Sequence, residues 1–365
     1  MPRLSAEFDP AGCYLDSATY GLPPRAAVAA LHEVTQQWAV GNYDPGAAED
    51  AIARARASFA RLHGVGAGEV AIGHQVSPLV AAIAAGLPRG ARVLTAEGDF
   101  SSLLFPFAAA AAGADVRATG LDALAGSIDS RTDVVAVSAV QSADGRVADL
   151  EAIGSAAAAH GALTVVDATQ ASGWLPLDTA PFDVLVSGAY KWLSSPRGTA
   201  LMAIRPQALE RLRPISAGWY AAPQPWEACY GLPLRLAANA RRLDVSPAWL
   251  SWHATAASLE LLQDVGIQRI YDHDVALANR LRCGLRLPAT DSAIVSTDAD
   301  PDAAQRLAGA GVRVSVRAGR VRISPHLYND EADIDRALEA LAFDRPLATA
   351  HFGSVHEQPV AEMAG

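Results

Sequence analysis

The sequence predicts an α/β protein: a central, seven-stranded, mostly parallel sheet covered on both faces, followed by a smaller C-terminal α/β unit. Three observations carry this. Between residues 69 and 205, short β-branched apolar runs alternate with Ala-rich stretches, the pattern of strands that feed covering helices. The runs are nearly continuous in apolar residues, as strands buried on both faces require. With 365 residues, 51% of them hydrophobic and 19% charged, the chain can bury a large core plus a smaller one.

The seven strands fall at 70–72, 92–95, 115–118, 134–139, 163–167, 183–187 and 200–204. The texture then changes. Over residues 211–230 and just beyond, Pro214, Pro223, Pro225 and Pro233 interleave with Trp219, Tyr220, Trp226 and Tyr230, which predicts a long, aromatic, non-periodic segment. A helical pattern runs from Ala248 through Leu262, and the smaller unit follows with strands at 293–296, 313–316 and 321–323. Its last helix is expected to start at Asn329-Asp330, where Glu331 and Asp333 suit the helix dipole. The expected division is an N-terminal segment, 1–30, packed with the small domain, a large domain over 31–245, a small domain over 246–345 and a patternless tail over 346–365.

A formal charge of −10 with no basic run argues against a nucleic-acid or anionic-membrane partner and leaves a small molecule or a protein. The apolar runs at 76–87 and 103–112 are too short or Pro-broken to span a bilayer, and the N-terminus lacks the layout of a signal peptide. Cys13, Cys229 and Cys283 are odd in number and far apart, so neither a disulfide framework nor a metal site is expected, and a reducing cytoplasm fits. No His spacing of a zinc enzyme occurs, and no metal is expected. The glycines at 64, 66 and 68 precede a strand instead of following one, and Glu69 replaces the last glycine of a dinucleotide fingerprint.

Lys and Arg total 29, and a single one of them, Lys191, is lysine. In a composition that supplies positive charge as arginine, a surviving lysine marks a place where arginine will not serve. Arginine cannot be deprotonated in a protein, whereas a buried lysine readily becomes a base or a carbonyl nucleophile. Lys191 lies in SGAYKW, 187–192, just past one strand; Asp167 ends the preceding strand in TVVDATQ, 164–170, with Gln170 three residues on. In open α/β sheets ligands sit at the carboxyl ends of strands. Taken singly, Asp167 also reads as a cap of the next helix and Lys191 as a surface lysine. Together they read as an aldehyde cofactor held as an imine by the lysine, its ring nitrogen kept protonated by the carboxylate.

On YLDSAT at 14–19, VDATQ, SGAYKWL and VRISPH at 321–326, the chain resembles the class V aminotransferase family. These are fold-type-I pyridoxal 5′-phosphate enzymes that include cysteine desulfurases, kynureninases and carbon-sulfur lyases. The resemblance makes Lys191 the lysine that carries the cofactor, Asp167 the partner of its ring nitrogen and Gln170 the partner of its ring hydroxyl. Phe100, in EGDFS at 97–101, falls where desulfurases place a ring-stacking histidine; it keeps the stacking face and loses the acid-base role. GHQVS, 73–77, matches the phosphate-binding turn through Gln75 and Val76, because backbone amides at a helix N-terminus hold phosphate without side-chain charge. Tyr190 and Ser187 are further phosphate candidates, and Ser246 resembles a residue that reaches the cofactor of a neighbouring subunit, which implies a homodimer with shared active sites. Arg322 resembles the arginine that grips a substrate α-carboxylate, a task that suits its planar fork of donors. Trp219 and Tyr220 are candidates for a substrate pocket, with interdomain packing as the alternative.

Desulfurases carry a cysteine on a loop shortly before that arginine. Residues 311–320 are short and contain none, so a persulfide mechanism is not expected. The branch the chain resembles includes carbon-sulfur lyases of sulfur-containing secondary metabolism, such as ergothioneine biosynthesis. The expected reaction is β-elimination from an S-substituted cysteine. An aminotransferase, epimerase or decarboxylating deaminase on the same site is the alternative, and a non-catalytic binding protein on the enzyme scaffold is a second.

Overall fold

The computed structural model describes residues 4–110, 113–298 and 301–341; the tail expected at 346–365 lies outside the described residues. A short strand, β1 (Cys13–Tyr14), leads into α1 (Arg25–Ala39) and α2 (Pro45–Leu62). The large sheet then forms from β2 (Val70–Gly73), β3 (Arg92–Ala96), β4 (Asp115–Thr119), β5 (Val134–Ser138), β6 (Leu163–Asp167), β7 (Val184–Gly188) and β8 (Ala200–Ile204). Between these strands lie α3 (Val76–Ala84), α4 (Ser101–Ala108) and α5 (Leu150–His160), and α6 (Pro206–Leu209) follows β8.

The spatial order is β2-β8-β7-β6-β5-β3-β4, and β8 runs antiparallel to both of its neighbours. The cause is the connection: residues 189–199 hold no covering helix, and a parallel return needs a longer crossover. Strands β5 to β8 are buried at every position, which is why they read as apolar runs without alternation. One face packs Phe59 of α2 with Trp174 and Trp192, and the other packs Leu79 of α3 with Leu103 of α4. At the edge, β4 is largely exposed and carries Asp115 and Arg117, charges that discourage pairing with another chain.

After the sheet, the aromatic segment forms short 3₁₀ turns at Trp219–Ala221 and Pro225–Ala228. Next come α7 (Trp249–Val265) and α8 (Ile267–Gly284), followed by β9 (Val295–Thr297), α9 (Ala303–Gly309), β10 (Val312–Arg313), β11 (Ser315–Arg317), β12 (Arg320–Ile323) and α10 (Glu331–Leu341). The single strand read at 313–316 is corrected: it is divided at Val314 between two sheets. β10 pairs in parallel with β1, while β11 joins the antiparallel sheet β11-β12-β9. The N-terminal segment therefore supplies the partner that β10 needs, and no local pattern announces a partner three hundred residues away. Asp330 caps α10, its Oδ1 accepting from the amides of Ala332 at 3.0 Å and Asp333 at 3.3 Å.

Candidate active site

The carboxyl ends of β6 and β7 open into a cavity. Asp167, Gln170, Tyr190 and Lys191 line it from the sheet, with Gln75, Val76 and Phe100 at the helix side. Sequence reasoning named all seven. Ser102, Ser138, Ser142, Thr169 and Arg197 complete the wall, and it named none of these.

Lys191 stands on a turn fixed from several directions. The amide of Ser194 donates to its carbonyl at 2.9 Å, and the amide of Gly21 donates to the carbonyl of Tyr190 at 3.0 Å. A Cβ on Gly21 would overlap the Lys191 carbonyl, so only glycine lets the N-terminal segment press this close. Ser194 has φ of 52°, a left-handed conformation that a non-glycine residue holds only where its surroundings enforce it. Within this frame Nζ makes no hydrogen bond to any described residue and sits 5.2 Å from the Phe100 ring centroid. Burial disfavours the ammonium and brings the Lys191 pKa down to about 8; Arg322, Arg317 and Arg197 push the same way, and the Asp167 carboxylate opposes them.

Asp167 is itself raised above the ordinary carboxylate range by burial, partly offset by hydrogen bonds from Thr169, whose amide lies 2.8 Å from Oδ1. A buried carboxylate and a buried amine on adjacent strand ends fit a ligand that brings its own cationic ring nitrogen and its own carbonyl. Gln170 Oε1 accepts from Trp192 Nε1 at 2.8 Å, and Nε2 donates to the Ala18 carbonyl at 2.9 Å and to Ser142 Oγ at 3.1 Å.

Arg322 lies behind Ser142 and is 1% exposed. Its Nη1 donates to the Ser142 carbonyl at 2.6 Å and to Ser142 Oγ at 3.1 Å, and Nη2 donates to Thr19 Oγ1 at 2.7 Å. Nε is buried without a partner, and so is Oδ1 of Asp16, 3.9 Å from Nη2. Burial lowers the Arg322 pKa to about 10, with Arg317 adding to the shift. Unpaired donors on a buried cation beside the cavity are what a substrate carboxylate would satisfy.

At the other end, α3 begins at Val76, and its N-cap residue Gln75 makes no side-chain cap bond, so first-turn amides are left for a ligand. Gly73 pairs with Ala200, which brings the loop carrying Arg197 alongside. The Arg197 guanidinium lies over the Tyr190 ring, 4.3 Å from its centroid. The donor set thus offers an imine-forming amine, a carboxylate for a pyridinium nitrogen and a helix end for a phosphate. Pyridoxal phosphate fits it.

Four candidates lie elsewhere in the single chain. Ser187 is fully buried with Oγ on the Gly188 carbonyl, and Ser246 is exposed away from this cavity. Tyr220 belongs to the core, its hydroxyl donating to Glu49 at 2.7 Å, and Trp219 packs on Tyr220 and Trp226. Neither aromatic lines the cavity, because each is already occupied by neighbours.

The family model of class V aminotransferases matches residues 13–308. The chain belongs to the class V aminotransferase family. Among relatives of this class V chain, an uncharacterised aminotransferase of Bacillus subtilis is 27% identical over 313 residues, covering 79% of this chain and 82% of that protein. A kynureninase of Deinococcus radiodurans is 31% identical over 302 residues, 76% of this chain and 73% of that protein. The fold matches that of the cystine C-S lyase C-DES, solved with cysteine persulfide, with a TM-score of 0.82 at 21% identity over 92% of this chain and 98% of that one. The class V fold, fold type I, accounts for the seven-stranded sheet and the smaller C-terminal unit. No helix among the described residues is long and apolar enough to cross a membrane.

Proposed function

We propose that this pyridoxal-phosphate enzyme is a lyase that cleaves the carbon-sulfur bond of an S-substituted cysteine, releasing a thiol, pyruvate and ammonia. Bound pyridoxal phosphate supplies an electron sink for charge developing at the substrate α-carbon. Asp167 holds a proton on the ring nitrogen, Gln170 meets the ring hydroxyl, Phe100 gives a stacking face, and the α3 N-terminus with Arg197 and Tyr190 meets the phosphate. Arg322 takes the α-carboxylate with its free donors. Lys191, whose burial disfavours the ammonium, removes the α-proton. In the net reaction one water is consumed: the Cβ–S bond breaks, sulfur leaves as thiol, and the remaining three-carbon fragment hydrolyses to pyruvate and ammonia.

The observation that carries lyase over desulfurase is the β11–β12 hairpin. It turns through residues 318–319 and brings no cysteine to the cavity, while Cys13 is buried and Cys229 and Cys283 line no part of it. Sulfur-containing secondary metabolism is the setting that fits such a lyase. A homodimer belongs to the proposal: Phe100 is 42% exposed at the cavity, and Tyr230 and Leu232 are each 91% exposed, apolar side chains that a second copy would cover. The partner subunit's Ser246 would then approach the cofactor.

The test mixes holo-protein with an S-substituted cysteine and follows thiol, pyruvate and the cofactor spectrum. Thiol and pyruvate in equal amounts are expected. A keto acid that keeps its sulfur, with the cofactor left in its amine form, would mean transamination and end the lyase reading.

A further inference from the structure

Arg317 is an exposed arginine on β11 with no carboxylate partner among the described residues. In the hairpin register Ser315 faces Arg322, so Arg317, two residues further along the same face, is the diagonal neighbour of Arg322. The two guanidiniums converge on a single hydroxyl: Arg322 Nη2 donates to Thr19 Oγ1 at 2.7 Å and Arg317 Nη2 donates to the same atom at 3.2 Å. Arg317 also reaches the cavity electrostatically, since it is among the charges that disfavour the Lys191 ammonium and the Arg322 cation. Two like charges meeting at one neutral oxygen, in a chain of formal charge −10, mark a place where anions belong.

Donor counting says how many. A guanidinium has five N–H groups. Arg322 commits three, two from Nη1 to Ser142 and one from Nη2 to Thr19, leaving the buried Nε–H and one Nη2–H. Two donors serve one carboxylate. Arg317 commits two, one to the Val316 carbonyl at 2.8 Å and one to Thr19, and keeps three. The α-carboxylate is therefore served without Arg317, and the spare fork stands beside it.

We propose that Arg317 binds a second anionic group, carried on the substrate's side chain, so that the substrate is an amino acid with an acidic side chain. This rests on the reading that Arg322 takes the α-carboxylate of an amino acid in this cavity, and it holds whichever bond the enzyme breaks.

The probes are S-carboxymethyl-L-cysteine and its neutral isostere S-carbamoylmethyl-L-cysteine, titrated into holo-protein with the initial change in cofactor absorbance as the readout. The wild-type protein is expected to bind the acid about 10- to 100-fold more tightly than the amide, the range of a charge-assisted hydrogen bond. In Arg317→Gln the ratio should fall to about 1, and in Arg317→Lys, which restores the charge, most of it should return. A wild-type ratio near 1, a response to neither compound, or an Arg317→Gln protein that weakens both compounds equally overturns the proposal. The last result would assign both arginines to the α-carboxylate. Failure of the lyase reading shows instead as intact binding preference without thiol release.

Discussion

Trp192 Nε1 lies 2.8 Å from Gln170 Oε1. Indole nitrogen only donates, so this bond fixes which end of the amide is oxygen and turns Nε2 toward Ser142 on the cavity wall. The residue after Lys191 thereby orients Gln170, the side chain proposed to meet the cofactor's ring hydroxyl. Trp192→Phe keeps the packing and removes the donor. The dissociation constant for pyridoxal phosphate, measured by absorbance titration, is expected to rise about 2- to 10-fold, the effect of one net hydrogen bond. Unchanged affinity would show that Gln170 needs no such support.

Lys191 predicts a pH profile. Burial lowers its pKa from 10.5 to about 8, so at pH 7 roughly 10% is free amine, against about 0.03% for an ordinary lysine. Covalent capture of pyridoxal phosphate by apo-protein should quicken about fivefold from pH 7 to 8 and less than twofold from pH 8 to 9. Because the Asp167 carboxylate opposes the shift, Asp167→Asn should move the midpoint below 8, and Arg322→Gln should move it up. A rate that keeps climbing tenfold per pH unit through pH 9 would contradict a buried amine.

The strand ends were legible because β6 and β7 are short apolar runs that stop at polar residues, which places Asp167 and Lys191 on one edge without any knowledge of packing. The partners of Arg322 were not. Thr19 and Ser142 lie 303 and 180 residues away in sequence and belong to loops whose approach only the tertiary fold decides. Arg197 and Arg317 were hidden for a different reason. In a chain whose cations are nearly all arginine, residue type carries no signal, and what distinguishes them is tertiary placement: Arg197 lines the cavity, and Arg317 meets Arg322 at Thr19 Oγ1. The aromatics at 219–220, a Trp-Tyr pair in a Pro-rich loop, read equally as pocket and as packing; within the single chain Tyr220 packs into the core and bonds Glu49.

Arg56 and Asp244 form a buried ion pair, Nη2 to Oδ2 at 2.7 Å, that ties α2 to the loop after the aromatic segment. Asp244 Oδ1 also accepts from the amide of Ile72 in β2 at 2.8 Å, and Arg56 Nη1 donates to the Val70 carbonyl. Arg56→Met would leave the buried carboxylate with Arg241, whose Nε lies 3.7 Å from Oδ2, and is expected to cost about 3 kcal/mol in urea unfolding, the low end for breaking a buried pair. Adding Asp244→Leu removes the buried charge but orphans the Ile72 amide, a loss of about 1–3 kcal/mol, so recovery should be partial. A single variant within about 1 kcal/mol of wild type would mean that Arg241 or water compensates the carboxylate.

Gly21 tests how tightly the lysine turn is held. A methyl group there meets the Lys191 carbonyl, backbone against backbone, with no flexible side chain to yield. Gly21→Ala should therefore fold with its cavity displaced: turnover falls by about 10²-fold, the scale of an ångström-level misplacement, while circular dichroism stays native. Full activity would show that the N-terminal segment can withdraw without disturbing Lys191.

Lys191→Arg is the sharpest variant because it separates charge from proton transfer. The position tolerates a cation, since Asp167 is nearby and the cavity has room, so the protein should fold and take up pyridoxal phosphate. Arginine stays protonated, so it neither forms the covalent link nor removes an α-proton. Borohydride reduction exploits the composition: with Lys191 the only lysine, wild-type holo-protein should yield one labelled internal peptide, and the variant none. Activity should be undetectable in the variant. Wild-type turnover would require another group in the cavity to act as base, yet Asp167 is the only carboxylate among its lining residues and is proposed to hold the ring proton. Retained activity would therefore remove Lys191 from the chemistry and leave its survival, in a chain that otherwise uses arginine, without a physical cause.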